Sequence, residues 1–166
     1  MTLYMKEKDS LMRDRLLVTD ESGKPLYRIE GKLLSSKLTI EDADGNILAT
    51  VRKKPLALTP KYAVEVEGEE IALLHKETNL MGKSFYKVEG PDWTVDGDIW
   101  DRDYNIRHNL NVIARVKPPI LGNKDSYKIK IEKETLNPMM VVAVAVIVDC
   151  ILDAEAADVS VNNVEG

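Results

Sequence analysis

The twelve residues Asp92-Trp-Thr-Val-Asp96-Gly-Asp98-Ile-Trp-Asp101-Arg-Asp103 hold five carboxylates, the ligand type that hard cations prefer. Their spacing is not that of an EF-hand loop, and Arg102 would neutralise part of any cation site, so the stretch reads as a solvated hairpin. Asp42-Ala-Asp44-Gly45-Asn46 begins like a calcium loop but has no glutamate at the required distance, which makes it a tight turn. His75 and His108 are the only histidines, and neither has a second histidine or a cysteine at ligand spacing. No Ser/His/Asp grouping, phosphate-cradling glycine loop or redox cysteine pair can be assembled from local sequence. The residues therefore predict a non-enzymatic protein with no metal and no cofactor.

The remaining chemistry is basic. Arg52-Lys53-Lys54 and Arg115-Val116-Lys117 are each followed by proline, and Lys61 lies near the first of them. Cations at strand ends can hold a phosphate or an anionic lipid surface by Coulomb attraction and charge-assisted hydrogen bonds. Arg52, Lys53, Lys54, Lys61, Arg115 and Lys117 are accordingly the candidate headgroup or phosphate ligands, against the plainer reading that they protect sheet edges and aid solubility. The net charge of −5 opposes broad nucleic-acid binding, so the partner expected is an anionic lipid surface or another protein.

These side chains must be positioned by strands. Turn signals recur at Ser22-Gly23, Asp44-Gly45-Asn46, Glu67-Gly68-Glu69, Asp96-Gly97 and Gly122-Asn123, separated by short runs of period two. In one run Tyr62, Val64 and Val66 oppose Glu65 and Glu67; in another Tyr127, Ile129 and Ile131 oppose Lys128 and Lys130. Counting all such runs gives about twelve strands with one wet face. Three landmarks also repeat in order. Tyr27-Arg-Ile-Glu-Gly31 returns as Tyr86-Lys-Val-Glu-Gly90, Ala49 to Pro55 returns loosely as Ala114 to Pro119, and Tyr62 to Val66 returns as Tyr127 to Ile131. The economical architecture is a closed antiparallel barrel of two similar halves.

The segment Met139 to Leu152, MMVVAVAVIVDCIL, fixes what fills that barrel. Asn137-Pro138 supplies an N-cap and a proline at the first helical position, which predicts a helix over about 138–153. Its uninterrupted apolar run is half the roughly 20 residues that a membrane span needs, because Asp149 interrupts it. A helix apolar on all sides must be surrounded by protein, and a barrel of about twelve strands is wide enough to hold one. Met140, Val144, Ile147, Val148 and Ile151 are its expected core contacts, within one domain over 1–154. Residues 155–166 read as an acidic, flexible tail. The lone Cys150, inside the apolar run, and the charged N-terminus without an export signal favour the cytoplasm, peripheral to a membrane where lipid is bound.

A barrel of duplicated halves around a hydrophobic C-terminal helix resembles the tubby C-terminal-like fold of the tubby, phospholipid scramblase and LURP-one-related families. The resemblance is strongest to bacterial LURP-one-related proteins. It runs from Leu3-Tyr4-Met5-Lys6 and Arg13-Asp14-Arg15 through the two Tyr-x-x-Glu-Gly motifs and Ile40 to Gly45, and ends at Val146-Ile-Val-Asp149. It implies a binding or adaptor domain, since tubby domains bind phosphoinositide headgroups through basic surface residues. Calcium-driven scrambling does not carry over, because Glu132-Lys-Glu-Thr-Leu-Asn137 lacks the aspartate-rich stretch of scramblases. Two rivals stand beside this expectation: a scramblase-like membrane-associated protein, and an enzyme whose site is built from distant loops.

Overall fold

Alternating apolar residues and closely spaced turns produce twelve strands in a computed structural model that describes residues 1–8, 15–32, 37–119, 126–132 and 137–164. They are β1 (Thr2–Lys8), β2 (Arg15–Thr19), β3 (Pro25–Lys32), β4 (Lys37–Asp42), β5 (Ile47–Lys53), β6 (Lys61–Val66), β7 (Glu69–Thr78), β8 (Ser84–Glu89), β9 (Trp93–Asp98), β10 (Asp103–His108), β11 (Asn111–Lys117) and β12 (Ser126–Ile131). Each pairs antiparallel with its neighbours in sequence, and β1 pairs with β12, so the meander closes into a barrel without free edges. The expected turn at Gly122-Asn123, the motif residues Arg13-Asp14 and most of the segment before the helix lie outside the described residues.

One helix, α1 (Pro138–Val164), enters at the rim where β12 ends. Asn137 caps it: its Oδ1 accepts from the Met139 amide at 3.0 Å and its carbonyl from the Met140 amide at 3.1 Å. Every residue from Val141 to Val148 is fully buried, as are Leu3, Ile29, Ile40, Val51, Val64 and Ile129 on the strands around it, so the helix is the hydrophobic axle of the barrel. Met140, Val144, Ile147, Val148 and Ile151 are all buried. Valine disfavours helices in isolation, but contact with the barrel on every side overrides that propensity.

The helix does not stop near residue 153. It continues through the expected tail to Val164, because Ala154-Glu-Ala-Ala157 are good helix formers and no glycine or proline intervenes. Ser160 Oγ donates to the Ala157 carbonyl at 2.7 Å within this extension.

The two halves are related by six strands, which corrects one landmark of the repeat. Gly31 lies on β3, but Gly90 follows β8, five strands later. The true counterpart of Gly31 is Gly97 on β9. A Cβ on Gly31 would lie 2.7 Å from the Lys37 carbonyl oxygen, and a Cβ on Gly97 would lie 2.8 Å from that of Asp103, six residues on in both cases. Both have φ above +100°, so both the backbone angle and the close approach of the next strand require glycine. The pairing irregularities agree, falling at Ile40/Glu41 between β4 and β5 and at Ile106/Arg107 between β10 and β11.

Candidate functional site

Because strand directions alternate, the barrel has an entry rim, where α1 begins, and an exit rim, where it emerges. The exit rim receives the first polar turn of the helix. Asp149, only 12% exposed, accepts a hydrogen bond from Arg102 Nε at 3.0 Å, and Arg102 Nη2 donates to Asp153 at 3.1 Å. Arg102 comes from the β9–β10 turn and has φ 55°. Its guanidinium carbon lies 5.2 Å from the ring centroid of Tyr127, which also bonds Asp149. Burial alone would lower the Arg102 pKa; the Asp149 carboxylate and Tyr127 outweigh it and the net shift is upward. Tyr104 and Tyr127 are raised first by burial and then by Asp149, and Tyr86 is pushed up to about 12 by burial and by Glu155. Met5, Val116 and Leu152 close around this cluster and leave no interior space for a water molecule, so it clamps the helix and is not a ligand cavity.

The six candidate basic residues do not assemble into one patch. β5 and β11 stand opposite each other in the ring, with five strands between them either way round. Register makes Lys117 the counterpart of Arg52, since Val51 pairs with Val64 as Val116 pairs with Ile129. Arg115 instead corresponds to Thr50. Four of the six are already neutralised on the outer surface. Arg52 pairs with Glu65 at 2.9 Å, Lys54 with Glu70, Arg115 with Glu132 at 3.1 Å and Lys117 with Asp103 at 3.5 Å. Lys53 and Lys61 have no carboxylate partner among the described residues. They stand at the exit rim beside Lys37 at the start of β4 and Lys83 in the β7–β8 turn, two lysines likewise without a carboxylate partner there.

The acidic stretch forms the β9–β10 hairpin. Asp96 faces out and is held by Arg107 Nε at 3.0 Å, Asp98 accepts from the Asp101 amide at 3.2 Å, and Asp103 faces Lys117. Among the described residues no three His, Cys, Asp or Glu side chains converge as metal ligands would. His75 faces outward on β7 between Lys61 and Lys87, with its ring nitrogens 3.8 Å from Glu77 and 3.7 Å from Glu89. His108 ends β10 and is exposed.

Three turns share one construction. In Asp20 to Lys24, Asp42 to Asn46 and Asn79 to Lys83, the first side chain accepts from the amides two and four residues on, and glycine occupies the fourth position with positive φ. The Asp20 carboxyl is held below its usual range by Ser22, and that of Asp42 by Asn46. Their middle residues differ by rim: Glu21-Ser22 and Ala43-Asp44 at the entry, Leu80-Met81 at the exit. Leu80 and Met81 are 108% and 89% exposed, and in the neighbouring β5–β6 connection Leu56 and Leu58 exceed 100%. Trp100, in the β9–β10 turn, is also exposed, at 60%; at the entry rim, among the described residues, Leu110 in the β10–β11 turn and Ile47, which follows the β4–β5 turn, are exposed at 92% and 62%. The apolar turn tips were not among the candidate residues, although the Asx-x-x-Gly pattern around Leu80-Met81 was readable in sequence.

The description of a LURP-one-related domain matches residues 1–149, nearly the whole chain. The chain belongs to the LURP-one-related family. A bacterial relative, the uncharacterized protein YxjI of Bacillus subtilis (strain 168), is 26% identical over 152 residues, covering 90% of this chain and 93% of that protein. A solved structure from Arabidopsis thaliana, AT5G01750, superposes with a TM-score of 0.59 at 13% identity, covering 90% of this chain and 91% of that one. At that identity the likeness establishes the fold. Within this LURP-one-related barrel no described helix is long and apolar enough to cross a membrane.

Proposed function

We propose that the protein is a non-enzymatic binding module of the cytoplasm that recognises anionic headgroups or phosphates with one arc of its exit rim. The observation that carries this reading is the contrast between paired and unpaired cations. Lys37, Lys53, Lys61 and Lys83 have no carboxylate partner among the described residues, whereas Arg52, Lys54, Arg115 and Lys117 do. A neutralised cation must give up its partner before it can hold an anion; an unpaired lysine near an anionic surface contributes about 1 kcal/mol. The functional set narrows from the six sequence candidates to Lys53 and Lys61, and gains Lys37 and Lys83.

Co-sedimentation with phosphatidylcholine vesicles, with and without phosphatidylglycerol, tests it. The expected outcome is salt-sensitive binding to anionic vesicles that falls at least about tenfold in Lys53→Glu/Lys61→Glu. Arg115→Glu/Lys117→Glu, on the opposite wall, should leave it unchanged. Equal binding to neutral and anionic vesicles, or no loss on reversing Lys53 and Lys61, rejects the reading.

A further inference from the structure

Four of the five most exposed apolar side chains flank Lys53, Lys61 and Lys83. Leu56 and Leu58 project from the connection bracketed by Lys53 and Lys61, and Leu80 and Met81 from the turn that ends at Lys83. Only β6 and β7 separate the two connections, so their tips lie on the order of 10 Å apart across adjacent strands. Folding does not call for these residues. The Asx-x-x-Gly turn forms equally with Glu21-Ser22 or Ala43-Asp44 at its middle, and leucine exposed to water contributes nothing to the core. Large apolar tips that the fold does not use mark a surface that another phase or molecule covers.

We propose that this arc of the exit rim seats the protein on an anionic bilayer, with Leu56, Leu58, Leu80 and Met81 entering the interface while Lys53, Lys61 and Lys83 meet the headgroups. The inference rests on the headgroup reading above and adds insertion to it. Charge complementarity selects the occupant: basic residues beside apolar ones match an anionic interface, where both gain together. The arc ends at the β9–β10 turn, where Trp100 is exposed but stands between Asp98 and Asp101.

Flotation with 70:30 phosphatidylcholine:phosphatidylglycerol and with pure phosphatidylcholine vesicles decides it, using the whole chain and Leu56→Ser/Leu58→Ser/Leu80→Ser/Met81→Ser. All four positions are solvent-exposed, and an unchanged near-UV circular dichroism spectrum certifies the folded barrel. Insertion predicts at least about a tenfold loss of partition in the serine variant, and wild-type binding that high salt weakens without abolishing. Wild-type and variant binding anionic vesicles equally would overturn insertion and leave the headgroup reading standing. Equal wild-type binding to both vesicles, lost in the variant, would support insertion and reject the headgroup reading. No vesicle binding by the wild type overturns both. Lipid-free self-association that the serine variant abolishes would overturn insertion by making a second copy of this chain the occupant.

Discussion

The two rims of the barrel solve different problems with the same strands. At the entry, Asn137 caps a helix that is apolar from its second residue, its Met139 and Met140 are buried with Trp93 and Ile113 of the strands, and the two Asx turns carry Glu21-Ser22 and Ala43-Asp44 at their tips. At the exit, the helix turns polar, and Tyr62, Tyr86, Tyr104 and Tyr127, all near the starts of even-numbered strands, replace aliphatic residues around it. A tyrosine suits such a boundary, because its ring can face the core while its hydroxyl reaches water or a carboxylate. The entry is built to close the barrel and the exit to hold a charged helix turn beside an arc of apolar tips. Folding accounts for the polar turn tips of the first rim but not for Leu110 there or for Leu56, Leu58, Leu80 and Met81 at the second, and the grouping of the latter four beside Lys53, Lys61 and Lys83 sets the exit apart.

Both rims depend on the dry segment that joins them. Val144 is fully buried near the middle of that segment, and Val144→Asp would place a carboxylate there without a partner. Such a charge costs several kcal/mol, comparable with the whole stability of a domain. The variant is expected to be unfolded or insoluble by circular dichroism and sedimentation. A cooperative, soluble Val144→Asp barrel would remove the axle, and with it the distinction between entry and exit.

Next in size is the exit clamp. Arg102→Met leaves Asp149 mostly buried and without its cation, with an expected loss of about 2–4 kcal/mol in urea unfolding. Arg102→Met/Asp149→Val should recover most of that loss, because an apolar pair of similar size is often as stable as a buried ion pair. If the single variant unfolds like the wild type, the polar cluster is ornamental and the exit differs from the entry only in its turns.

These effects mark where sequence reading succeeds and fails. Strand alternation and the Asn137-Pro138 start were visible because both are local: periodicity two, and a cap within two residues of the amide it serves. The Arg102–Asp149 pair joins residues 47 apart, and in the sequence Arg102 stands beside nearer aspartates. A charge inside an apolar helix signals that some partner exists, without naming it. The repeat misled in a similar way, since Tyr27 to Gly31 and Tyr86 to Gly90 match in letters but lie five strands apart in a ring whose period is six. Ring order also separates the two basic segments, a fact that neither segment carries in its own composition.

The entry cap is the smaller counterpart of the exit clamp. Asn137→Ala removes the acceptor of the Met139 amide, and a lost N-cap typically costs about 1 kcal/mol. Asn137→Asp should retain most of the wild-type midpoint. If Asn137→Ala were instead as damaging as Arg102→Met, the two ends of the helix would be anchored alike, and the exit would lose its claim to a distinct role.

The smallest expected effect on stability is the most informative about function. Leu80→Glu/Met81→Ser writes the tip of the Asp20 turn into the Asn79 turn, leaving Asn79 and Gly82 to set the geometry. Both tip side chains stand in water, so the unfolding free energy should change by no more than about 0.5 kcal/mol. The reciprocal Glu21→Leu/Ser22→Met removes the Ser22 Oγ bond to Asp20 at 2.6 Å and is expected to cost somewhat more, about 0.5–1 kcal/mol. Thermal unfolding of both variants checks the pair. A large loss from the exit swap would mean that Leu80 and Met81 serve the fold, so their exposure would no longer point to a partner. A negligible loss would leave the apolar tips at the exit without a role in the fold, as the bilayer proposal requires.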